Sequence, residues 1–311
     1  MMRSGLLWLS EQQRVFRFVR TNGLARRFAR RFVAGETEAE AIAAAQDLNG
    51  RDITATLDLL GESVTRAEEA ERARNVYLSV LDRIAATGVH ANVSVKLTQM
   101  GLDIDPGLCL ANMRAILDRA KAQDCFVRLD MESSAYTQRT LDFYFQHVAP
   151  VYRTWCGVVI QSCLRRSAAD IERLIENKVR VRLCKGAYLE PPDVAFPDKP
   201  DVDANYVRLM RRLLESGNYP ALATHDVRMI EQARGFVTER KLDPAGFEFQ
   251  MLYGVRRDLQ PVLRRQGYRV RIYIPFGSHW YPYLMRRLAE RPANIAFMLA
   301  NVAKEAVAGG R

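Results

Sequence analysis

Residues 92–131, NVSVKLTQMGLDIDPGLCLANMRAILDRAKAQDCFVRLDM, contain two short apolar runs separated by a longer segment with helical periodicity. The runs NVSVKLT and FVRLDM are rich in β-branched residues, which is typical of strands. The segment between them includes Asp105–Pro106, a helix-capping residue followed by proline at the first helical position. A strand, a helix and a second strand in this order indicate a unit of a parallel sheet.

The same alternation recurs along most of the chain, with strand starts roughly 20 to 40 residues apart. The predicted strands are residues 53–59, 92–98, 126–131, 157–162, 179–185, 221–225, 247–252 and 268–274. Eight such units predict an α/β fold of the closed (β/α)8, TIM-like barrel type, whose functional groups lie at the carboxyl ends of the strands. An open doubly wound sheet is the alternative, but Gly61-Glu62-Ser63 does not supply the glycine motif expected after its first strand.

Three further predictions concern segments around the strands. Ser167 and Asp170 have the spacing of a capping box at the start of a helix. The proline-rich connection 189–202 is expected to form an ordered or closing loop near the site. Residues 10–46 resemble two or three helices, so we divide the chain into an N-terminal helical arm, residues 1–50, and a catalytic barrel, residues 51–311.

The positive charge of the chain is concentrated at its beginning. Of the formal net charge of +10, residues 1–35 carry +7, from eight arginines and the single acid Glu11. A nucleic-acid enzyme would spread basic residues along its main domain, so nucleic acid is not the expected partner. The first apolar run is too short for a signal sequence or a membrane span. We therefore expect a cytoplasmic protein, with peripheral contact at the inner face of the cell membrane as an open alternative.

Cysteine and histidine residues do not form a recognisable metal motif. The five Cys are an odd number without a C-x-x-C pair, which favours buried thiols in a reducing compartment. The four His show no H-E-x-x-H or other ligand spacing. No metal site is predicted.

Several charged residues lie inside predicted strands that otherwise look buried, and four of them are Lys96, Asp130, Arg182 and Lys185. A buried charge without a partner costs several kcal/mol, so these side chains should be paired with each other or directed at a ligand. A purely structural ion network within the barrel is the alternative.

A second cluster follows the last strand. At about 100° per residue, Tyr283, Arg286, Arg287 and Glu290 share one face of the predicted helix. Two guanidinium groups could bind a substrate carboxylate while Glu290 holds one of them. The alternative is a solvated ion pair between Arg286 and Glu290 that stabilises the helix by only tenths of a kcal/mol.

Hydrogen-bonding groups end three other strands. Gly186-Ala187-Tyr188 permits close backbone approach to a ligand and then offers a ring, although a tight turn and a core tyrosine would look the same. Gln161 and Thr224-His225 lie at the same rim, and a structural role for His225 stays open. The site is rich in Arg, Lys and Tyr and poor in nucleophiles, which suits an anionic small molecule held against a cofactor.

Eight motifs in chain order, seven on the second to eighth predicted strands and one on the helix after the last strand, resemble the bacterial proline dehydrogenases, both the single-function enzymes and the barrel of proline utilization A. The resemblance covers about residues 51 to 299, and residues 1–46 match only loosely. The motifs are SVKLT, RLDME, VVIQS, VRLCKGAY, LATHD, FEFQML, RIYIPFG and YLMRRLAER. The resemblance implies a (β/α)8 barrel with its last helix over the barrel mouth and FAD bound there.

The resemblance also implies roles for individual residues. Asp130 and Arg182 would be catalytic, with Arg182 against the flavin N5 region. The substrate-binding residues would be Lys96, Arg286, Arg287, Tyr273, Tyr283, Leu252 and Glu290. The FAD-binding residues would be Met131, Gln161, Arg182, Lys185, Gly186, Ala187, Tyr188, Thr224 and His225. Tyr at position 273 favours proline, because hydroxyproline enzymes of this family tend to carry a smaller residue there.

The expected reaction is the FAD-dependent oxidation of L-proline to Δ1-pyrroline-5-carboxylate, the first step of proline catabolism to glutamate. A hydride would pass to flavin N5 and electrons then to a quinone, and a pyrroline-5-carboxylate dehydrogenase is a further candidate partner. A hydroxyproline dehydrogenase, an aldolase using Lys185 as a Schiff base, and a nucleic-acid-binding role for the basic arm remain alternatives.

Overall fold

The computed structural model describes residues 30–290, apart from the side chains of residues 286–290. Eight parallel strands pair in chain order and close into a barrel, because β8 pairs with β1 as well as with β7. The strands are β1 (Thr54–Leu59), β2 (Ala91–Val95), β3 (Val127–Leu129), β4 (Cys156–Gln161), β5 (Val181–Cys184), β6 (Ala221–Ala223), β7 (Glu248–Leu252) and β8 (Arg269–Phe276). The eight predicted strands and the barrel are therefore confirmed.

Helices surround the barrel and cover the outward, apolar side chains of its strands. They are α1 (Glu38–Asn49), α2 (Ala67–Thr87), α3 (Pro106–Ala122), α4 (Ser134–Phe143), a π-helical turn π1 (Tyr144–Val148), α5 (Ala149–Tyr152), α6 (Ser167–Glu176), α7 (Lys199–Ser216), α8 (Val227–Glu239), α9 (Leu259–Arg265) and α10 (Trp280–Glu290). Within residues 30–290, no helix has the length and apolarity needed to cross a membrane.

Of the two predicted helix caps, one agrees with the structure and one differs. Asp105 caps α3 as predicted, and its carboxylate accepts hydrogen bonds from the backbone N–H groups of Gly107 at 2.9 Å and Leu108 at 3.2 Å. The prediction of a capping box at Ser167 is wrong. Arg166 occupies the cap position, because the Ser167 hydroxyl instead donates to the buried carbonyl of Gln161 at 2.5 Å.

The connection after β5 ends earlier than the predicted 189–202. Helix α7 already begins at Lys199, so the last four residues of the predicted loop are helical. Pro200 lies in the first turn of the helix, where its missing N–H would have had no helical partner. Pro200 therefore belongs to the start of this helix, whereas Pro191, Pro192 and Pro197 lie in the connection.

The segment before the barrel is described only from residue 30. Helix α1 is capped by Thr37 and Glu40, which form a capping box, and the helix contacts β1 and β8. Most of the helices predicted for residues 10–46 lie outside the described residues, and the boundary between arm and barrel at residue 50 stays a prediction. The backbone of Ala34 bonds the Pro275 carbonyl at 2.9 Å, so the chain enters across the end of β8.

Candidate functional site

A cavity of about 1480 Å³ opens at the carboxyl ends of the strands. Pro282 and Tyr283 of α10 border it, so the last helix lies over the barrel mouth as expected. The predicted site residues that line the cavity are Lys96, Asp130, Met131, Gln161, Arg182, Lys185, Gly186, Ala187, Tyr188, Thr224, His225, Leu252, Tyr273 and Tyr283. The side chains of Arg286, Arg287 and Glu290 lie outside the described part of the chain.

Asp130 is the centre of a buried polar cluster. Its Oδ1 accepts hydrogen bonds from Arg182 Nη1 and Ser94 Oγ, both at 2.7 Å. Its Oδ2 accepts from the Tyr273 hydroxyl at 2.6 Å, and Lys96 Nζ lies 3.9 Å away. Burial alone would raise the pKa of Asp130, but the Arg182 and Lys96 charges and these hydrogen bonds outweigh it and lower the pKa. Asp130 is therefore a carboxylate that fixes two cations.

Asp58, at the end of β1, is a site residue that the sequence analysis missed. Lys96 Nζ donates to Asp58 Oδ1 at 2.7 Å. Burial raises the pKa of Asp58 to about 6, with Lys96 opposing the rise and Asp130 adding to it. Burial acts against the charge of Lys96 too, but the two carboxylates raise the Lys96 pKa well above its ordinary value. Lys96 is thus a permanent cation between two carboxylates.

Arg182 is held on two edges of its guanidinium group. Its Nε donates to Gln250 Oε1 at 2.6 Å and its Nη1 to Asp130, while the group lies 5.2 Å from the centre of the Tyr273 ring. The third nitrogen, Nη2, is buried and has no hydrogen-bond partner among the described residues. Gln250 was also missed by the sequence analysis, because an uncharged amide within a strand does not by itself require a buried partner.

Gln161, which also lines the cavity, has a buried hydrogen-bond acceptor where Arg182 has a buried donor. Its Nε2 donates to the carbonyls of Met131 at 3.3 Å and Glu132 at 3.1 Å. Its Oε1 is buried and receives no hydrogen bond within residues 30–290. Arg182 and Gln161, which both line the cavity, thus carry a buried donor and a buried acceptor without a partner among the described residues.

Gly186 follows β5 where the backbone approaches both its neighbours and the cavity. Its φ of +104° is unfavourable for any residue with a Cβ. A Cβ there would also lie 2.4 Å from Cys163 Sγ. Only glycine fits this position. A turn without a side chain also lets a ligand approach the backbone closely.

Lys185 lies at the outer part of the rim and is bound by two carboxylates. Its Nζ donates to Asp203 at 2.5 Å and to Asp226 at 3.0 Å. A Schiff-base lysine needs a free lone pair on its amine, so this arrangement counts against the aldolase alternative. Lys185 is available as a fixed positive charge at the edge of the cavity.

His225 and Thr224 bond the backbone of the same rim. His225 Nε2 accepts a hydrogen bond from the Leu252 N–H at 2.8 Å, and Thr224 Oγ1 accepts from the Asp226 N–H at 3.1 Å. An imidazole that accepts at Nε2 is neutral and carries its proton on Nδ1. His225 is therefore oriented with Nδ1 as a donor.

Several known proteins that are similar to this chain over most of its length are named proline dehydrogenase. The family model described as proline dehydrogenase matches residues 41–300. The chain is 41% identical over 305 residues to Proline dehydrogenase 1 of Bacillus subtilis subsp. natto, covering 98% of this chain and 100% of that protein. It is 42% identical over 279 residues to Proline dehydrogenase of Deinococcus radiodurans, covering 89% and 90% of the two chains.

Among solved structures, the chain resembles proline utilization A from Bdellovibrio bacteriovorus inactivated by N-propargylglycine. The TM-score is 0.81 at 27% identity, and the match covers 90% of this chain but only 34% of that one. The likeness therefore concerns one part of a much longer protein. Taken with the family match over residues 41–300, these findings show that the chain belongs to the proline dehydrogenase family.

Proposed function

We propose that this protein oxidises L-proline to Δ1-pyrroline-5-carboxylate with FAD as the hydride acceptor. The observation that carries the proposal is the buried cluster of Lys96, Asp130, Arg182 and Tyr273 at the mouth of the barrel in a member of this family. The cluster offers no nucleophile and no free amine. Its groups can bind and orient a small zwitterion, which is what flavin-dependent oxidation of an amino acid requires of the protein.

The residues present fit FAD. A flavin ring carries both N–H donors and N or O acceptors on its polar edge, and the cavity offers Gln161 Oε1 as an acceptor and Arg182 Nη2 as a donor. FAD, when bound, supplies a two-electron acceptor for the hydride. The residues proposed to hold it are Met131, Gln161, Arg182, Lys185, Gly186, Ala187, Tyr188, Thr224 and His225.

The carboxylate of proline is proposed to bind Lys96 together with Arg286 and Arg287. Lys96 and Arg182 are already balanced by the carboxylates of Asp58 and Asp130. The positive charge that attracts an anionic substrate must therefore come from elsewhere, and the arginine pair of α10 is the proposed source. Glu290 would orient one of these arginines, and Tyr273, Tyr283 and Leu252 would pack against the ring of the substrate.

The neutral form of the substrate amine is needed for hydride loss, because a protonated nitrogen has no lone pair to assist. Cations near the amine lower its pKa and favour this form. Asp130 holds Arg182 in place for that role and, with Lys96, keeps the substrate oriented so that the reacting carbon meets the acceptor.

Hydroxyproline is the second candidate substrate. The Tyr273 ring lines the cavity and its hydroxyl is bonded to Asp130, so the side chain cannot move aside without losing that bond. A hydroxyl on the substrate ring would have to enter the space that the Tyr273 side chain already fills. Proline is therefore the proposed substrate, and turnover of the two compounds by one preparation decides between them.

The test is the visible spectrum of the purified protein. A flavin spectrum that bleaches on addition of L-proline without oxygen supports the proposal. A folded, colourless protein that gains no flavin absorbance after incubation with FAD contradicts it, and a flavoprotein that bleaches only with hydroxyproline or another carboxylate contradicts the choice of substrate.

Reduced FAD must pass its electrons on, and a membrane quinone is the proposed acceptor. The basic arm, whose charge of +7 lies in residues 1–35, is proposed to contact an anionic membrane surface or another subunit. Deletion of the arm should leave turnover with a soluble dye unchanged and reduce binding to anionic vesicles. A cytoplasmic location and a pyrroline-5-carboxylate dehydrogenase that takes up the product belong to the same proposal.

A further inference from the structure

Strand β7 carries two buried polar side chains that the chemistry above does not use, and they are bonded to each other. Gln250 Nε2 donates to Glu248 Oε1 at 2.5 Å, and Gln250 Oε1 accepts from Arg182 Nε at 2.6 Å. Arginine can only donate and an ionised carboxylate can only accept. The orientation of the Gln250 amide is therefore determined from both ends.

Glu248 is itself anchored at the far side from the cavity. Arg271 Nε donates to Glu248 Oε1 at 2.8 Å, and the Tyr219 hydroxyl donates to Oε2 at 3.2 Å. Arg271 in turn donates to the Ala55 carbonyl of β1 at 2.6 Å. Burial alone would raise the pKa of Glu248, but Arg271 outweighs it and lowers the pKa. Glu248 is a fixed anion tied to the barrel wall.

These bonds matter for the direction of the Arg182 guanidinium group. With Nε bound to Gln250 and Nη1 bound to Asp130, the plane of the group is fixed, and Nη2 is left without a hydrogen-bond partner among the described residues. A flipped Gln250 amide would set its NH2 against Arg182 Nε, donor against donor. Glu248 prevents the flip because it holds that NH2 group.

We propose that Gln250 and Glu248 are positioning residues, which set the direction of Arg182 Nη2 without touching the substrate themselves. The inference rests on the proposed function, because Arg182 is the group through which they would act. Replacing either residue should therefore lower kcat more than it changes KM for proline.

The first test is Gln250→Met in the FAD-loaded full chain. We expect kcat to fall by about tenfold to a hundredfold, because a hydrogen bond to a charged group is lost, with KM for proline changed by less than about threefold. The visible spectrum of the bound flavin should shift, because Arg182 changes its direction beside it. Thr56→Val is the matched control, since it removes a buried bond to Asn92 inside the barrel and does not touch Arg182.

The second test exchanges the two side chains. Gln250→Glu alone places two carboxylates in contact, so a shared proton is needed and activity should fall as pH rises and the proton is lost. The charged and titratable groups around this pair are Arg182, Arg271, Tyr219, Arg128 and Arg180. The double variant Glu248→Gln with Gln250→Glu keeps the net charge, the acceptor for Arg182 and the donor between the two residues. We expect it to recover kcat to within about threefold of the original enzyme.

The proposal is overturned if Gln250→Met keeps both kcat and the flavin spectrum, or if the exchanged pair is no better than Gln250→Glu. Failure of the proposed function is seen separately, in an unsubstituted protein that does not bleach with proline. Loss of folding in Gln250→Met leaves the exchanged pair as the decisive measurement.

Discussion

The Tyr273 hydroxyl donates a hydrogen bond to Asp130 Oδ2 at 2.6 Å, joining β8 to β3 across the mouth of the barrel. The same Tyr273 ring lies beneath the Arg182 guanidinium group, which is bonded to the other oxygen of Asp130. One carboxylate thus fixes both a proposed ring contact and a proposed catalytic cation. Removing the hydrogen bond of Asp130 with either Tyr273 or Arg182 should therefore change kcat/KM for proline.

Tyr273→Phe keeps the ring and removes only the hydroxyl. Because Asp130 loses one hydrogen bond while its bonds to Ser94 and Arg182 remain, we expect kcat/KM for proline to fall by about tenfold, with FAD retained. Tyr144→Phe is the control, since the Tyr144 hydroxyl donates to the Cys156 carbonyl at 3.3 Å and Tyr144 is not among the residues that line the cavity. Equal kinetics for the two variants would show that the bond to Asp130 does not serve the reaction.

The fold was predictable because periodicity and strand spacing are local properties of the sequence. Each βα unit repeats the same alternation, and eight of them leave few arrangements other than a barrel. The errors lie where a tertiary contact competes with a local preference. Ser167 has the sequence of a cap but bonds the Gln161 carbonyl instead, and no local pattern reveals that buried acceptor.

The candidate site was predicted in part. Lys96, Asp130 and Arg182 were found because a charge in a buried strand needs a partner, and Asp58 satisfies the same rule and could have been found by it. Gln250 could not, since an uncharged amide in a strand is common and its importance depends on which side chains meet across the barrel. Pairing across a barrel is a three-dimensional property that spacing along the chain does not give.

Asp58→Asn tests the raised pKa of Asp58. Below about pH 6 the carboxyl of Asp58 is protonated, so a ligand carboxylate meets less repulsion and Lys96 has one competitor fewer. We expect tetrahydrofuran-2-carboxylate, which stays ionised, to bind up to about tenfold more tightly as pH falls from about 8 to about 5. In Asp58→Asn the affinity should be high and independent of pH over this range.

Asp103→Asn provides the comparison for that titration. Asp103 pairs with Arg139 at 2.7 Å on the exposed surface, so its loss should leave the pH profile of inhibitor binding unchanged. A profile that is as steep in Asp58→Asn as in the original protein would assign the titration to another group.

Gly186→Ala tests the close approach after β5. The unfavourable φ and the contact with Cys163 should together lower the free energy of unfolding by about 1–3 kcal/mol or more and weaken FAD retention. Adding Cys163→Ala removes the contact but not the backbone strain, so stability should recover only in part. Denaturant unfolding of both variants and of Cys163→Ala alone measures this. Full stability in Gly186→Ala would show that the turn tolerates a side chain.

The last prediction concerns Arg286 and Arg287, which are proposed to bind the substrate carboxylate jointly. Both belong to α10, whose residues Pro282 and Tyr283 border the cavity, and the pair shares a helical face with Tyr283 and Glu290. A hydrogen bond to a charged group contributes about 1.5 to 3 kcal/mol, so replacing either arginine by Met should lower kcat/KM for proline by roughly ten- to a hundredfold. FAD content should not change.

The inhibitor series separates carboxylate binding from a structural role. The affinity for tetrahydrofuran-2-carboxylate should fall in parallel with kcat/KM. The affinity for prolinol, which lacks the carboxylate, should change little. Arg212→Met is the matched control, because Arg212 lies on an outer helix and forms a 2.7 Å ion pair with the exposed Glu172 and a hydrogen bond with Ser216. If Arg287→Met reduces stability but leaves proline kinetics and acid inhibition intact, then the pair is a structural ion cluster. The substrate carboxylate would in that case have to be bound by Lys96 without the arginines.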